Sequence, residues 1–319
     1  MPAEEQETLS DTLKRQVLAK LEQLGRKAWQ QQWIDFLAIP QQLRSSVRQP
    51  ITPLEQREYV LRYLLLRALL DQQASADGAR LLAKRLYEEF SNQLLTEPWE
   101  ISLIKILEVY HKVNQKVKES DGRPIFRVGL LGAIKPISIF GYRFLAFTGF
   151  IKFLEENKQL IYNLILRKAK QPRDAHRYLS THPILEIGWV GRDPKACRMY
   201  VDWLAYLMTE VWHEPVRYTM KDTLMLVNGH VAKVFARTGL LSKVIYEKRR
   251  PYIVQAQQLR RSIEQLIQQT DLVPFYVDFG TYVLAQTYCA EKEPKCSVCP
   301  LALECKKYKK WTAYEQSAK

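Results

Sequence analysis

Apolar residues recur at helical spacing through most of the chain. Leu13, Val17, Leu21 and Leu24 fall on one face, predicting one or two amphipathic helices over residues 9–37 that start at Ser10-Asp11. Breaks at Ile39-Pro40 and between Pro50 and Pro53 precede a strongly apolar helix over 59–70. A polar stretch, 71–77, separates it from a helix over 78–90. Further helices are expected over 100–117, 141–156, 160–168 and 252–269, and Asp121-Gly122-Arg123-Pro124 reads as a turn. Residues 272–288 form a last helical run. Phe140, Tyr142, Phe144, Phe147 and Phe150 lie two or three apart inside an apolar segment, a spacing that belongs to a core more often than to a base-stacking wall.

This pattern implies an all-α protein with no repeat and no low-complexity linker. At 319 residues and 47% hydrophobic, it has enough apolar content for one large domain or two lobes. The most apolar stretch, 128–154, is interrupted by Lys135, Pro136, Arg143 and Lys152, so no run approaches the ~18 uncharged residues of a membrane span. The acidic, polar start MPAEEQETLSD carries no secretory h-region, so a reducing, cytoplasmic compartment is expected. Lys and Arg outnumber Asp and Glu by 48 to 34, giving +14 and an isoelectric point near 9.5. That balance points to a polyanionic partner, nucleic acid before membrane surface.

Four of the five cysteines fall within 289–305, spaced C-x6-C-x2-C-x5-C. Cys289, Cys296, Cys299 and Cys305 read as a four-thiolate metal site, because converging thiolates on a soft metal satisfy one another electrostatically. A zinc site usually sets two short knuckles at either end of a longer insert, whereas this segment has one knuckle, Cys296 and Cys299, between uneven single ligands. The spacing therefore favours a [4Fe–4S] cluster, with zinc as the alternative. A pair of disulfides fits less well, since nothing else marks a secreted chain.

The same segment, with Lys292 and Lys295 in its first loop and Lys306 and Lys307 after its last cysteine, resembles the iron–sulfur cluster loop of endonuclease III and its adenine-glycosylase relatives. Three further stretches extend the resemblance over roughly residues 59–308. In LLLRALLDQQASADGARLLAKRLYEEF, Gln73 takes the place of the glutamine that fills the gap left by a flipped nucleotide. The segment 185–196 is similar to a helix-hairpin-helix whose Gly191 and Arg192 face a DNA phosphate. Trp189 stands there where glycine is usual, and Asp193-Pro194 is inserted before Lys195. Asp193 is expected to cap the next helix, with Pro194 at its first position. Lys195 lies at or near the lysine that attacks C1′ in bifunctional members.

In LVNGHVAKVFARTGL the family aspartate is replaced by Asn228, with His230 two residues on. A neutral amide stabilises a developing sugar cation poorly, so a carboxylate from the preceding segment is needed. Asp202, Glu210, Glu214 and Asp222 are present, and Asp222 is nearest in sequence. Helix capping is the plainer role for Asn228 and His230.

The resemblance implies a two-lobed helix-hairpin-helix DNA glycosylase-like fold. Residues 1–77 and 196–319 would form the cluster lobe and 78–195 the middle lobe, with duplex DNA, damaged or modified, in the groove between. It further implies a monomer and an N-glycosylase with or without abasic-site lyase activity. The alternative is a catalytically silent, lesion- or structure-recognising protein of the same fold.

Overall fold

The computed structural model describes residues 10–48, 54–71, 76–121, 139–157, 161–186, 189, 194–240, 256–290 and 294–305. The protein is all-α: no strand occurs among these residues, and none of their helices is long and apolar enough to cross a membrane. Contacts divide the chain into two compact units, one of residues 34–219 and one of 1–33 with 220–319. The division falls at 33/34 and 219/220, where the sequence had suggested 77/78 and 195/196.

Unit 34–219 is built around α3 (Leu54–Leu70), whose residues from 60 to 70 are buried all round. A helix of that kind needs cover all round. Six helices among the described residues supply it: α2 (Gln41–Arg48), α4 (Ala76–Phe90), α5 (Gln93–Thr96), α7 (Ile139–Glu156), α8 (Ile161–Lys168) and α10 (Lys195–Tyr206). This dependence on helices before and after it in the chain keeps α3 with this unit. Its buried charges are all matched. Glu58 accepts from Arg62 Nε at 2.8 Å, and Arg62 also donates to the Leu95 carbonyl at 2.7 Å. Arg67, fully buried, donates to the Phe36 carbonyl, faces Asp71 at 3.7 Å and lies 4.4 Å from the Trp203 ring. Phe147 and Phe150 are wholly buried, as their spacing suggested. The side chains of Phe140, Tyr142 and Phe144 lie outside the description.

The other unit joins the N-terminal helix to the C-terminal third of the chain. The helical run expected over 9–37 is a single helix, α1 (Asp11–Phe36), opened by Ser10. Its Val17, Leu18 and Leu21 enter a core with Val231, Val234 and Phe235 of α11 (Gly229–Thr238), Ile263 and Ile267 of α12 (Ala256–Gln268), and Val277 and Leu284 of α13 (Pro274–Thr287). Trp29 is wedged between Phe275 and Phe279, edge to face with both, at 4.7 and 4.9 Å. Gly239, at φ 77°, ends α11 in a conformation that a side chain would oppose.

Candidate functional site

The cysteine segment begins where α13 stops, and its backbone is pinned turn by turn. Cys289 N–H donates to the Leu284 carbonyl at 2.9 Å, and Lys295 N–H reaches back to the Tyr288 carbonyl at 2.8 Å, closing the first loop. Cys299 N–H then donates to Cys296, Ala302 to Cys299 and Cys305 to Leu301. Leu301 is buried in the core, and Cys289, Cys299 and Cys305 pack against the same cluster. Lys20 of α1 pairs with Glu304 at 2.6 Å, tying the segment to the other end of the chain.

Arg237, near the end of α11, is the residue that sequence reasoning missed. It is buried, and its Nη1 donates to the Cys289 carbonyl, the Ala290 carbonyl and Cys289 Sγ at 3.2, 3.2 and 3.3 Å. The Cys305 thiol donates to the Arg237 carbonyl at 3.4 Å. One arginine thus addresses the first and last cysteines of the segment. It stands in the stretch LVNGHVAKVFARTGL quoted above, but nothing local marks it, because its partners lie more than fifty residues away.

Two of the four thiols, Cys299 and Cys305, are raised. Burial pushes the Cys305 thiol up to about 12, and the neighbouring Cys289, Cys299 and Cys296 add to that rise while Arg237 opposes it. Cys299 is raised too, by burial first and by Cys289 and Cys296 after it. A bound cation would favour the thiolate form of both. The four cysteines are not a closed ligand shell: among the described residues no group of three or more His, Cys, Asp or Glu side chains is arranged to hold a metal ion as it stands. The fit lies in the donors, four soft ligands within seventeen residues, three of them packed on an apolar floor, with an arginine at the first sulfur.

Asn228 precedes α11 as its cap. Its Oδ1 accepts from the backbone N–H of His230 at 2.8 Å and of Val231 at 3.0 Å, satisfying two donors that the helix start leaves open. The His230 ring stands edge-on to Tyr282, centroids 5.8 Å apart, with its Nε2 3.1 Å from the Gln286 amide nitrogen, so two residues of α13 orient it. Asp222 is exposed at the end of a short 3-10 turn, Met220–Asp222. The buried stretch 223–227 connects that turn to Asn228.

Lys195 belongs to the other unit, where it is the exposed first residue of α10. The helix starts one residue later than expected: Pro194 stands at the cap rather than inside the first turn. Trp189, in the family's glycine position, is buried, and its indole N–H donates to the Leu179 carbonyl of α9 (Pro172–Ser180) at 3.0 Å. The two helices α9 and α10 pack on each other. Lys295 is exposed. Gln73, Gly191, Arg192, Lys292, Lys306 and Lys307 lie outside the described residues.

No protein-family model matches this chain, and no curated protein matches it.

Proposed function

We propose that the chain is a DNA-binding protein of the base-excision type, related to endonuclease III. It acts in the cytoplasm, on the nucleoid, as a monomer on damaged or modified duplex. Cys289, Cys296, Cys299 and Cys305 hold a [4Fe–4S] cluster, whose contribution is to staple the loop that presents Lys292, Lys295, Lys306 and Lys307 to phosphates. Gln73 fills the space of an extruded nucleotide, and Gly191, Arg192 and His230 meet the strand beside it. The observation that carries this reading is the cysteine segment itself. Its spacing resembles that of the family's cluster loop, three of its cysteines pack on the core, and Arg237 ties it to α11.

The chemistry assigned is N-glycosylase or abasic-site lyase action. In the lyase step the Lys195 amine attacks C1′ of the ring-opened sugar and water leaves, giving an imine. Asp222 supplies the carboxylate that Asn228 does not. One observation favours a second reading, a silent lesion-binding protein: the Asn228 side-chain oxygen is engaged by two backbone N–H groups, and an amide carries no charge to offer a sugar cation.

Binding to an abasic duplex and to its intact twin across a salt series tests the shared part. Affinity should fall steeply with salt, and reversing charge at Lys306 and Lys307 should weaken both duplexes alike and flatten the slope. Gln73→Ala should act mainly on the abasic duplex. Borohydride should then trap a covalent complex with abasic DNA, absent in Lys195→Ala. Tight binding without trapping or base release selects the silent reading, and salt-insensitive or absent binding sinks both.

A further inference from the structure

Unit 34–219 carries a cleft of about 420 Å³, lined chiefly by Tyr162, Lys170, Glu214, Val216, Arg217 and Tyr218. Two consecutive residues of α3 brace its walls. Glu58, 1% exposed, accepts from the backbone N–H of Ile161 at 2.6 Å and of Tyr162 at 2.9 Å, which seats the start of α8. Arg57 forms an ion pair with Glu214, both side chains largely buried, and its guanidinium lies 5.4 Å from the Trp212 ring. Asp174 fixes the floor by accepting from the backbone N–H of Lys170 and Gln171, each at 3.2 Å. The carboxylates around the cleft are thereby committed to the scaffold.

What is left over is cationic and donor-rich. The Lys170 and Arg217 side chains are exposed and have no carboxylate within ion-pair distance among the described residues. Tyr162 and Tyr218 are 8% and 7% exposed. Burial, with Tyr162 adding to it, pushes the Tyr218 hydroxyl up to about 12, so it stays protonated and able to donate. Two positive charges and phenolic O–H groups select an acceptor-rich dianion, which a phosphate monoester is. The volume lies in the range of small-molecule sites and exceeds what phosphate alone would fill. Two tyrosine rings and Val216 offer the remaining space to a flat, weakly polar body.

We propose that this cleft binds a nucleoside monophosphate, the phosphate held by Lys170 and Arg217 and the base against the tyrosine-lined wall. The nucleotide comes either free or as the 5′-phosphorylated end of a strand. None of the cysteines, Asn228 or Lys195 lines this cleft, and the proposal does not depend on the reading given to them.

Calorimetric titration of the full chain with the four deoxynucleoside monophosphates, the matching nucleosides and inorganic phosphate tests it. At least one monophosphate should bind about tenfold or more tightly than its nucleoside and than inorganic phosphate. The Lys170→Ala/Arg217→Ala double variant should lose at least about tenfold while unfolding at the wild-type temperature, since both side chains are exposed. Tyr218→Phe should lose about two- to tenfold, one hydrogen bond's worth. A 5′-phosphorylated oligonucleotide that competes where its 5′-hydroxyl twin does not assigns the site to strand ends, and competition by free nucleotide alone assigns it to the mononucleotide. Wild-type protein that binds none of the four, or a double variant that binds as tightly as wild type, overturns the proposal. Inorganic phosphate binding as tightly as any nucleotide does so too.

Discussion

Gly25 of α1 and Gly280 of α13 meet backbone to backbone. A Cβ on Gly25 would stand 1.9 Å from the Tyr276 carbonyl oxygen and 2.6 Å from Gly280 N, and one on Gly280 would stand 1.8 Å from the Leu21 carbonyl oxygen. These neighbours are main-chain atoms, which cannot rotate aside. Gly25→Ala and Gly280→Ala should each destabilise by about 3 kcal/mol, the upper end for overpacking. Chemical unfolding measures this, and a loss under about 1 kcal/mol would show that the helices separate easily.

Replacing Arg237 removes the fork that reaches two carbonyls and one sulfur. Arg237→Lys keeps the charge and loses the geometry, so it should cost about 2–3 kcal/mol. It should also lower the metal bound per chain in protein purified without air. Arg26→Lys serves as the control, because Arg26 lies over the Tyr276 ring away from the cysteines. If Arg237→Lys retained metal and stability, the arginine would have no hold on the segment.

Asn228→Asp separates structure from chemistry. Aspartate caps a helix about as well as asparagine, so its stability should stay within about 0.5 kcal/mol of wild type, while Asn228→Ala should lose about 1 kcal/mol. New base release or abasic-site cleavage in the aspartate variant would mean that one amide silences an otherwise intact pocket. No gain, beside measurable wild-type activity on a modified base, would mean that the centre has been rebuilt around other residues such as Asp222.

Stability should decline in alkali. Burial raises the hydroxyls of Tyr63 and Tyr200, and Tyr218 is pushed up to about 12. A group with a raised folded-state pKa contributes fully below its unfolded value of about 10 and loses that contribution as pH rises through the folded value. Urea midpoints should hold steady from pH 8 to about 9.5 and fall between pH 10 and 12. A midpoint unchanged at pH 11 would contradict the burial of these hydroxyls.

Helix positions were largely legible because local periodicity sets them. The expected helix over 160–168 is α8, and that over 252–269 is α12 as far as the described residues reach, 252–255 lying outside them. The apolar run at 59–70 extends back to Leu54, since Glu55 and Gln56 suit a first helical turn but add nothing to a hydrophobic pattern. The cap at Asn228 followed from residue type. The π-helical turn Leu207–Val211 and the extended course to Asn228 did not, because nothing local distinguishes that turn from the helix it prolongs. Arg237, the Gly25 and Gly280 contact, and the bracing by Arg57 and Glu58 depend on residues far apart in sequence. Only the folded chain brings those together.

The unit containing the cysteines is assembled from the two ends of the chain, with the 186 residues from 34 to 219 intervening. On a ribosome adding about 5–20 residues per second, α1 waits roughly 10–40 s after it emerges before α11 and α13 exist to cover Val17, Leu18 and Leu21. During that interval the intervening unit can fold on its own as one continuous piece. A nascent chain stalled once residue 219 has cleared the ribosomal exit tunnel should therefore hold a protease-resistant 34–219 and a cleavable N-terminal helix, and the last hundred residues set when the protein becomes whole.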